Sequence, residues 1–347
     1  MVGSTGGNGS MRKLFVIVLI LFVTIPINSL SQSTAPPLRL IQTILLPNVH
    51  GRIDHFNVDV KSQRLFIAAL GNHTVEVVDL KSGKWVHSIP GLKKPQGVWH
   101  VDSLGKLFIA DGDDGDVKVY RGSNLKLIAS IKLDLGPDHE AYDPIRKLIY
   151  VGYGGEDAGK AYGELGIINA VTDKHIGDVR TDAHPSAIIL TKSGRTIFTS
   201  IPKSQEVEVI DAETRRVISK WPTIAGDPVA LALDQLHRRL FVGARTPPRL
   251  VVFDSKSHQL IASLPAAGLL DGLFFDSARR RIYASGGEGF ADVCQEMDAN
   301  HYREIAKVPT GPTARTSLFV PAFNRYYVAV PANDHRSAEI RVYETEP

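Results

Sequence analysis

The sequence predicts an all-β protein: a seven-bladed β-propeller of four-stranded blades whose ring is closed by the N-terminal strand. Three observations carry this reading. First, an aliphatic or aromatic residue followed by an aromatic recurs at Leu65-Phe66, Leu107-Phe108, Ile149-Tyr150, Ile197-Phe198, Leu240-Phe241, Ile282-Tyr283 and Tyr326-Tyr327, with spacings of 42, 42, 48, 43, 42 and 44 residues. Second, each copy holds short apolar runs punctuated by Gly, Asn, Asp, Ser or Pro, with no useful helical period. Third, the last copy is one run short, and a spare run precedes the first. A repeat of this length made of four strands cannot bury both of its faces alone, so copies stack on one another around a ring.

The elements follow in chain order. Residues 1–31 form an export signal with an N-terminal extension: Met11, Arg12 and Lys13 precede an apolar run from Leu14 to Ile27, and Ser29 and Ser31 supply the small residues of a cleavage site after Ser31. That run of about 14 residues falls short of the roughly 20 needed to span a bilayer, and no later stretch is long and apolar enough to do so. The expected location is therefore periplasmic or secreted. Removing residues 1–31 lowers the formal net charge from +3 to +1, so global charge gives no evidence of a nucleic-acid surface, which would need a clustered basic stripe. Residues 32–37 are a short linker and residues 38–347 a single propeller domain, expected to be a monomer.

Leu38 to Leu46 is the spare strand. Copy one reads as Phe56 to Val60, Arg64 to Leu70, Thr74 to Leu80 and Lys84 to Pro90, and copy five repeats the order as Val229 to Leu233, Arg239 to Ala244, Leu250 to Asp254 and Leu260 to Leu264. Asp79, Asp211, Asp254 and Asp298 each end a third strand before a polar turn, where a carboxylate accepts turn N–H groups. Copy three is stretched by the loop Tyr153 to Gly163, which marks a lid or binding edge. Cys294, the only cysteine, lies in an alternating run and reads as a small buried strand residue; no internal disulfide can form. The seventh copy ends with Ala338 to Glu344, leaving Leu38 to Leu46 to complete it.

These units resemble the YVTN-type seven-bladed propellers, in particular the YncE-like exported proteins of bacteria. The resembling residues are the Leu-Phe-Ile-Ala runs at 65–68 and 107–110, the strand ends Val77-Val78-Asp79 and Val209-Ile210-Asp211, and Pro95-Gln96-Gly97. The resemblance spans about residues 38–345, without the literal Tyr-Val-Thr-Asn tetrapeptide. It implies an exported propeller that binds something; one relative is associated with single-stranded DNA binding. Fold alone does not imply function.

In a propeller, the loop before each inner strand and the loop between strands two and three form one rim of the central funnel. Here those loops carry Arg52, Asp54, His55, Gln96, His139, Glu140, His184 and Arg315, which are expected to contact a ligand. The arginines would hold an anionic group, and the histidines and carboxylates would set polarity. The expected function is thus a non-enzymatic binding or scaffold propeller for a small molecule or protein, with no cofactor.

Two alternatives stand beside it. Asp54, His55, His139, Glu140, His184 and Asp271 could converge on a divalent metal and support a metal-dependent hydrolase or lactonase of the gluconolactonase-like type. Lys93, Lys94, Arg245, Arg249, Arg315 and Arg336, with Trp99 and Tyr162 as stacking platforms, could take single-stranded DNA. Acidic neighbours dilute that basic sector. Asp111-Gly112-Asp113-Asp114-Gly115-Asp116 reads as turn chemistry, since it lacks the full calcium-loop pattern. No nucleophile elbow, P-loop or dinucleotide fingerprint occurs.

Overall fold

The computed structural model describes residues 1, 3, 5–9 and 35–347; the expected export signal lies outside the described residues, and the linker does in part. Residues 35–347 form seven four-stranded antiparallel sheets. Blade 1 consists of Phe56–Asp59, Arg64–Ala69, Thr74–Asp79 and Lys84–Ile89, hydrogen-bonded in that order. The six others begin at the inner strands Pro95–Val101, Glu140–Asp143, Ile188–Leu190, Gly226–Asp234, Leu270–Asp276 and Ser317–Val320. First strands of neighbouring blades pack on one another all round, including that of blade 1 on that of blade 7. No helix among the described residues is long and apolar enough to cross a membrane.

The repeating aromatic explains the repeat. Phe66, Phe108, Tyr150, Phe198, Phe241, Tyr283 and Tyr327 are all buried. Each joins a cluster that includes residues of the following blade: Phe66 meets Val98 and Leu107, Phe108 meets Ile149 and Val151, and Tyr327 meets Ile53, Phe56 and Leu65 back in blade 1. A large side chain at this position fills the space between two twisted sheets, so every blade needs one.

The ring closes as the sequence predicts. Leu38–Leu46 pairs antiparallel with Ala338–Thr345, from Leu38 opposite Thr345 to Leu46 opposite Ala338, and becomes the outer strand of blade 7. Turns follow the expected chemistry too. Oδ1 of Asp79 accepts from the Ser82 N–H, that of Asp211 from Thr214, that of Asp254 from Ser257 and that of Asp298 from His301. Asn169 does the same work in blade 3. Cys294 is buried, and burial pushes its thiol up to about 12.

Candidate functional site

Loops preceding the inner strands meet at one mouth of the channel and enclose a cavity of about 330 Å³. Blade 1 contributes Arg52 and His55, blade 2 Lys94 and Gln96, blade 3 Asp138, blade 4 His184 and Ser186, blade 5 Asp227 and Arg245, and blade 6 Asp271. One wall is the stretched loop of blade 3, where a 3-10 turn over Gly155–Ala158 and the adjoining Lys160 and Ala161 overhang the opening. Gly154 and Gly155 have positive φ values of 82° and 67°, a backbone that glycine adopts without strain and that lets the loop turn back over the mouth. Below lies a smaller chamber of about 80 Å³, lined by His55, His139, Asp271, Thr316 and Ser317 among others.

Four of the eight residues expected at the site, Arg52, His55, Gln96 and His184, line the main cavity. His139 lines the smaller chamber, with its ring edge-to-face on that of His55 at 4.9 Å. Arg315 borders a neighbouring cleft and binds Asp271, its Nε 3.0 Å from Oδ2. Asp54 and Glu140 differ from the expectation: both are buried and neither lines either of these two cavities. Glu140 tucks against blade 2 where Gly97 leaves room, since a Cβ there would stand 3.0 Å from Glu140 Cγ. Asp54 sits behind Arg52, with Oδ2 2.8 Å from a guanidinium nitrogen.

Electrostatics divide the histidines. Burial, helped by the neighbouring His55, pushes His139 down to about 3, and its Nδ1 accepts the Ile188 N–H at 3.3 Å, so the neutral ring carries its proton on Nε2. His184 goes the other way: burial opposes its charge, but Asp138, whose Oδ2 is 3.7 Å from Nε2, outweighs it and the imidazole is raised. Its Nδ1–H donates to the Gly154 carbonyl at 3.1 Å. Asp138 is correspondingly lowered; burial would raise it, but His184, His55 and Gln96 prevail. Burial, with the charge of Asp138 adding, holds Glu140 well above the ordinary carboxylate range. Burial likewise pushes Asp54 up to about 6, against the pull of His55 and Arg52.

Among the lining residues outside the expected ligand set are Asp138, Arg245 and Asp271, the last two of which enter the sequence reading only through its nucleic-acid and metal alternatives. Arg245 Nε donates to the Leu270 carbonyl at 2.7 Å, and its NH2 group lies 2.9 Å from Asp271 Oδ1. Asp138 and Asp271 stand in the same inner-strand loops that supplied the others, so loop position was signal enough for them. Arg245 lies at the end of a second strand, where only the loop between strands two and three gives it away.

Among the described residues, His and carboxylate atoms converge within 4.8 Å in four groups: Asp59 with His100 and Asp102, Asp234 with His237 and Glu296, Asp111 with Asp114 and Asp116, and Asp182 with Glu206 and Glu208. None belongs to the funnel. The Asp111 group is already filled by an ammonium, as Lys118 Nζ bonds both Asp111 and Asp114 and lies 3.7 Å from Asp116. Cations of the basic sector are matched in the same way: Lys93 pairs with Asp114, Lys94 with Asp157, Arg315 with Asp271 and Arg336 with Glu339. Tyr162 is covered by the Arg180 guanidinium, 4.0 Å from its ring centre.

No family model matches the chain, and no curated protein matches it. Among solved structures, hydrazine synthase of Kuenenia stuttgartiensis is similar at 17% identity and a TM-score of 0.71, over 83% of this chain and 94% of that one. A chain from the crystal structure of a mitotic checkpoint complex is similar at 11% identity and a TM-score of 0.75, over 96% and 100%. Identities this low show a shared propeller fold and nothing more.

Proposed function

We propose that this protein is an exported propeller that binds a small polar ligand in the mouth of its channel and performs no chemistry on it. One observation carries the reading. The cavity of about 330 Å³ collects polar side chains from six blades, and two buried oxygens among them, Gln96 Oε1 and Asp138 Oδ1, have no protein partner. Buried polar atoms are ordinarily satisfied, and a ligand or water seated in the mouth would supply the missing partners. The export reading draws its support from the charged and apolar N-terminal segment and from the resemblance to YncE-like exported propellers.

Binding is favoured over metal-dependent hydrolysis because two of the three funnel histidines are committed elsewhere. His139 accepts a backbone N–H and His184 is held by Asp138 and the Gly154 carbonyl, so their lone pairs do not converge on one point. A thermal-shift screen of the mature chain against millimolar sugars, amino acids and organic acids tests the proposal. At least one compound should raise Tm by several degrees, and His184→Ala should cancel that rise. No rise with any compound, or a rise that His184→Ala leaves intact, contradicts it. For export, protein recovered from cells expressing the full chain should begin at Gln32; an intact chain retained in the cytosol is the opposing result.

A further inference from the structure

Three arginines meet on one side of the funnel. Three guanidiniums from blades 1, 5 and 7, those of Arg52, Arg245 and Arg315, face two buried carboxylates. Arg52 takes Asp54 at 2.8 Å, while Arg245 and Arg315 share Asp271 at 2.9 and 3.0 Å. Asp227 approaches Arg245 only to 3.9 Å and is 40% exposed, so water screens it. Asp138 adds a third carboxylate that helps hold Arg52 charged, so what the cluster offers a ligand is exposed guanidinium edge and not a surplus charge. Arg315 registers the crowding: burial first, then the charges of Arg52 and Arg245, lower its guanidinium despite Asp271 beside it.

Arg52 borders two cavities, and its side chain is 44% exposed, which leaves guanidinium edge free of Asp54. One cavity is the polar mouth. The other is a cleft of about 360 Å³ between blades 1, 6 and 7, where Ile53, Leu269, Pro331 and Ala332 join Arg52 and Arg315. Its walls are thus apolar side chains beside two guanidiniums. A small inorganic anion would meet the guanidinium edge and leave the apolar walls wet, while a neutral apolar molecule would cover the walls and leave that edge unmet.

We infer that this cleft is a second binding site, for a monocarboxylate with an apolar arm, its carboxylate on Arg52 and Arg315 and its arm beside Ile53, Leu269, Pro331 and Ala332. It goes beyond the binding function proposed above, which concerns the polar mouth, and adds a ligand class for the neighbouring cleft. A planar carboxylate matches the exposed edge of the Arg52 guanidinium fork. Burying the arm adds the apolar contribution that a bare acid lacks.

Calorimetric titration of the mature protein with octanoate, octanamide and acetate tests the inference. Octanoate should bind at least tenfold tighter than either of the others. Leu269→Asp should weaken octanoate at least tenfold; Leu269 is 54% exposed and sits at φ 55°, a backbone that aspartate tolerates, so the fold should survive. Arg315→Leu should remove the preference for octanoate over octanamide. Equal binding of octanoate and octanamide, equal binding of octanoate and acetate, or indifference to Leu269→Asp overturns the inference. If none of the three binds while the polar screen yields a shift that His184→Ala cancels, the cleft site is wrong and the mouth site stands. If both fail, both are wrong.

Discussion

Buried carboxylates in blades 2, 4 and 6 grip the segment that leads into their own blade. Asp111 accepts the Lys93 and Lys94 N–H groups, Glu208 accepts that of Asp182, and Asp292 accepts that of Ala267. These bonds satisfy backbone donors that would otherwise be lost in the crossover, but they bring charge into the interior. Blade 2 offsets it with Lys118, raised by burial's rivals Asp111 and Asp114; blade 4 has only Lys220, 3.9 Å from Glu208. Burial therefore pushes Glu208 up to about 7, with the Asp182 N–H opposing and the Asp182 charge adding. A raised acid binds its proton in the folded state while the unfolded chain has released it. Stability from this group is full below pH 4.5 and is lost as pH rises to about 7. Glu208→Gln keeps an acceptor for the N–H and removes the charge. Its stability advantage over the parent should grow by roughly 2–3 kcal/mol between pH 4.5 and 8 in urea unfolding; a constant offset across that range contradicts the account. Such residues were half legible. The turn-capping aspartates show themselves by recurrence, whereas Glu208 differs from its neighbours only by alternation, and nothing in the sequence says that Asp182 will reach it.

At the scale of the element, each second strand presents one aromatic to the next blade, and this is why the strands were readable from the sequence: the packing requirement imposes the spacing. Strand ends moved by one to three residues, as in blade 5, where the inner strand runs Gly226–Asp234 instead of 229–233 because the bulge at Pro228/Ala230 extends pairing toward Thr246. Phe108 is fully buried between blades 2 and 3, among Val101, Ile149, Val151 and Ile168. Phe108→Ala removes those contacts and leaves a cavity that two stiff sheets cannot collapse, so it should cost about 3–5 kcal/mol in chemical denaturation. Leu127→Ala on the outer strand of the same blade, where the side chain is 53% exposed, should stay within about 0.5 kcal/mol. Equal losses for the two would show that the interblade aromatic is not what binds the sheets.

For the whole molecule, closure joins the first residues of the domain to the last. The sequence announced it by a missing strand at one end and a spare one at the other, a count that any ring must balance. Half of the funnel was legible for the same reason, because ring geometry assigns loops to a face before any side chain is placed; it does not say which residues reach the opening. Asp54 and Glu140 are adjacent in sequence to lining residues yet retreat behind them, through contacts with Arg52 and Gly97 that only the assembled ring creates. Closure also has an energetic consequence. Leu38, Ile44 and Leu46 are buried, and Ile44 and Leu46 share a cluster with Ile53, Phe56 and Leu65 of blade 1, so the strand seals the last blade and the seam to the first. Burying three such side chains contributes about 5–9 kcal/mol, comparable with the whole stability of a typical domain. Removing residues 38–46 would also leave the edge of Ala338–Thr345 unpaired and open to other chains. The shortened chain should fail to fold or should aggregate. Since such a failure alone has several causes, point variants make the test specific. Ile44→Ala and Leu46→Ala should each cost about 2–5 kcal/mol in urea unfolding, while Leu45→Ala, 59% exposed on the opposite face of the same strand, should change stability by less than about 0.5 kcal/mol. A strand that merely decorated the ring would show three small and similar losses.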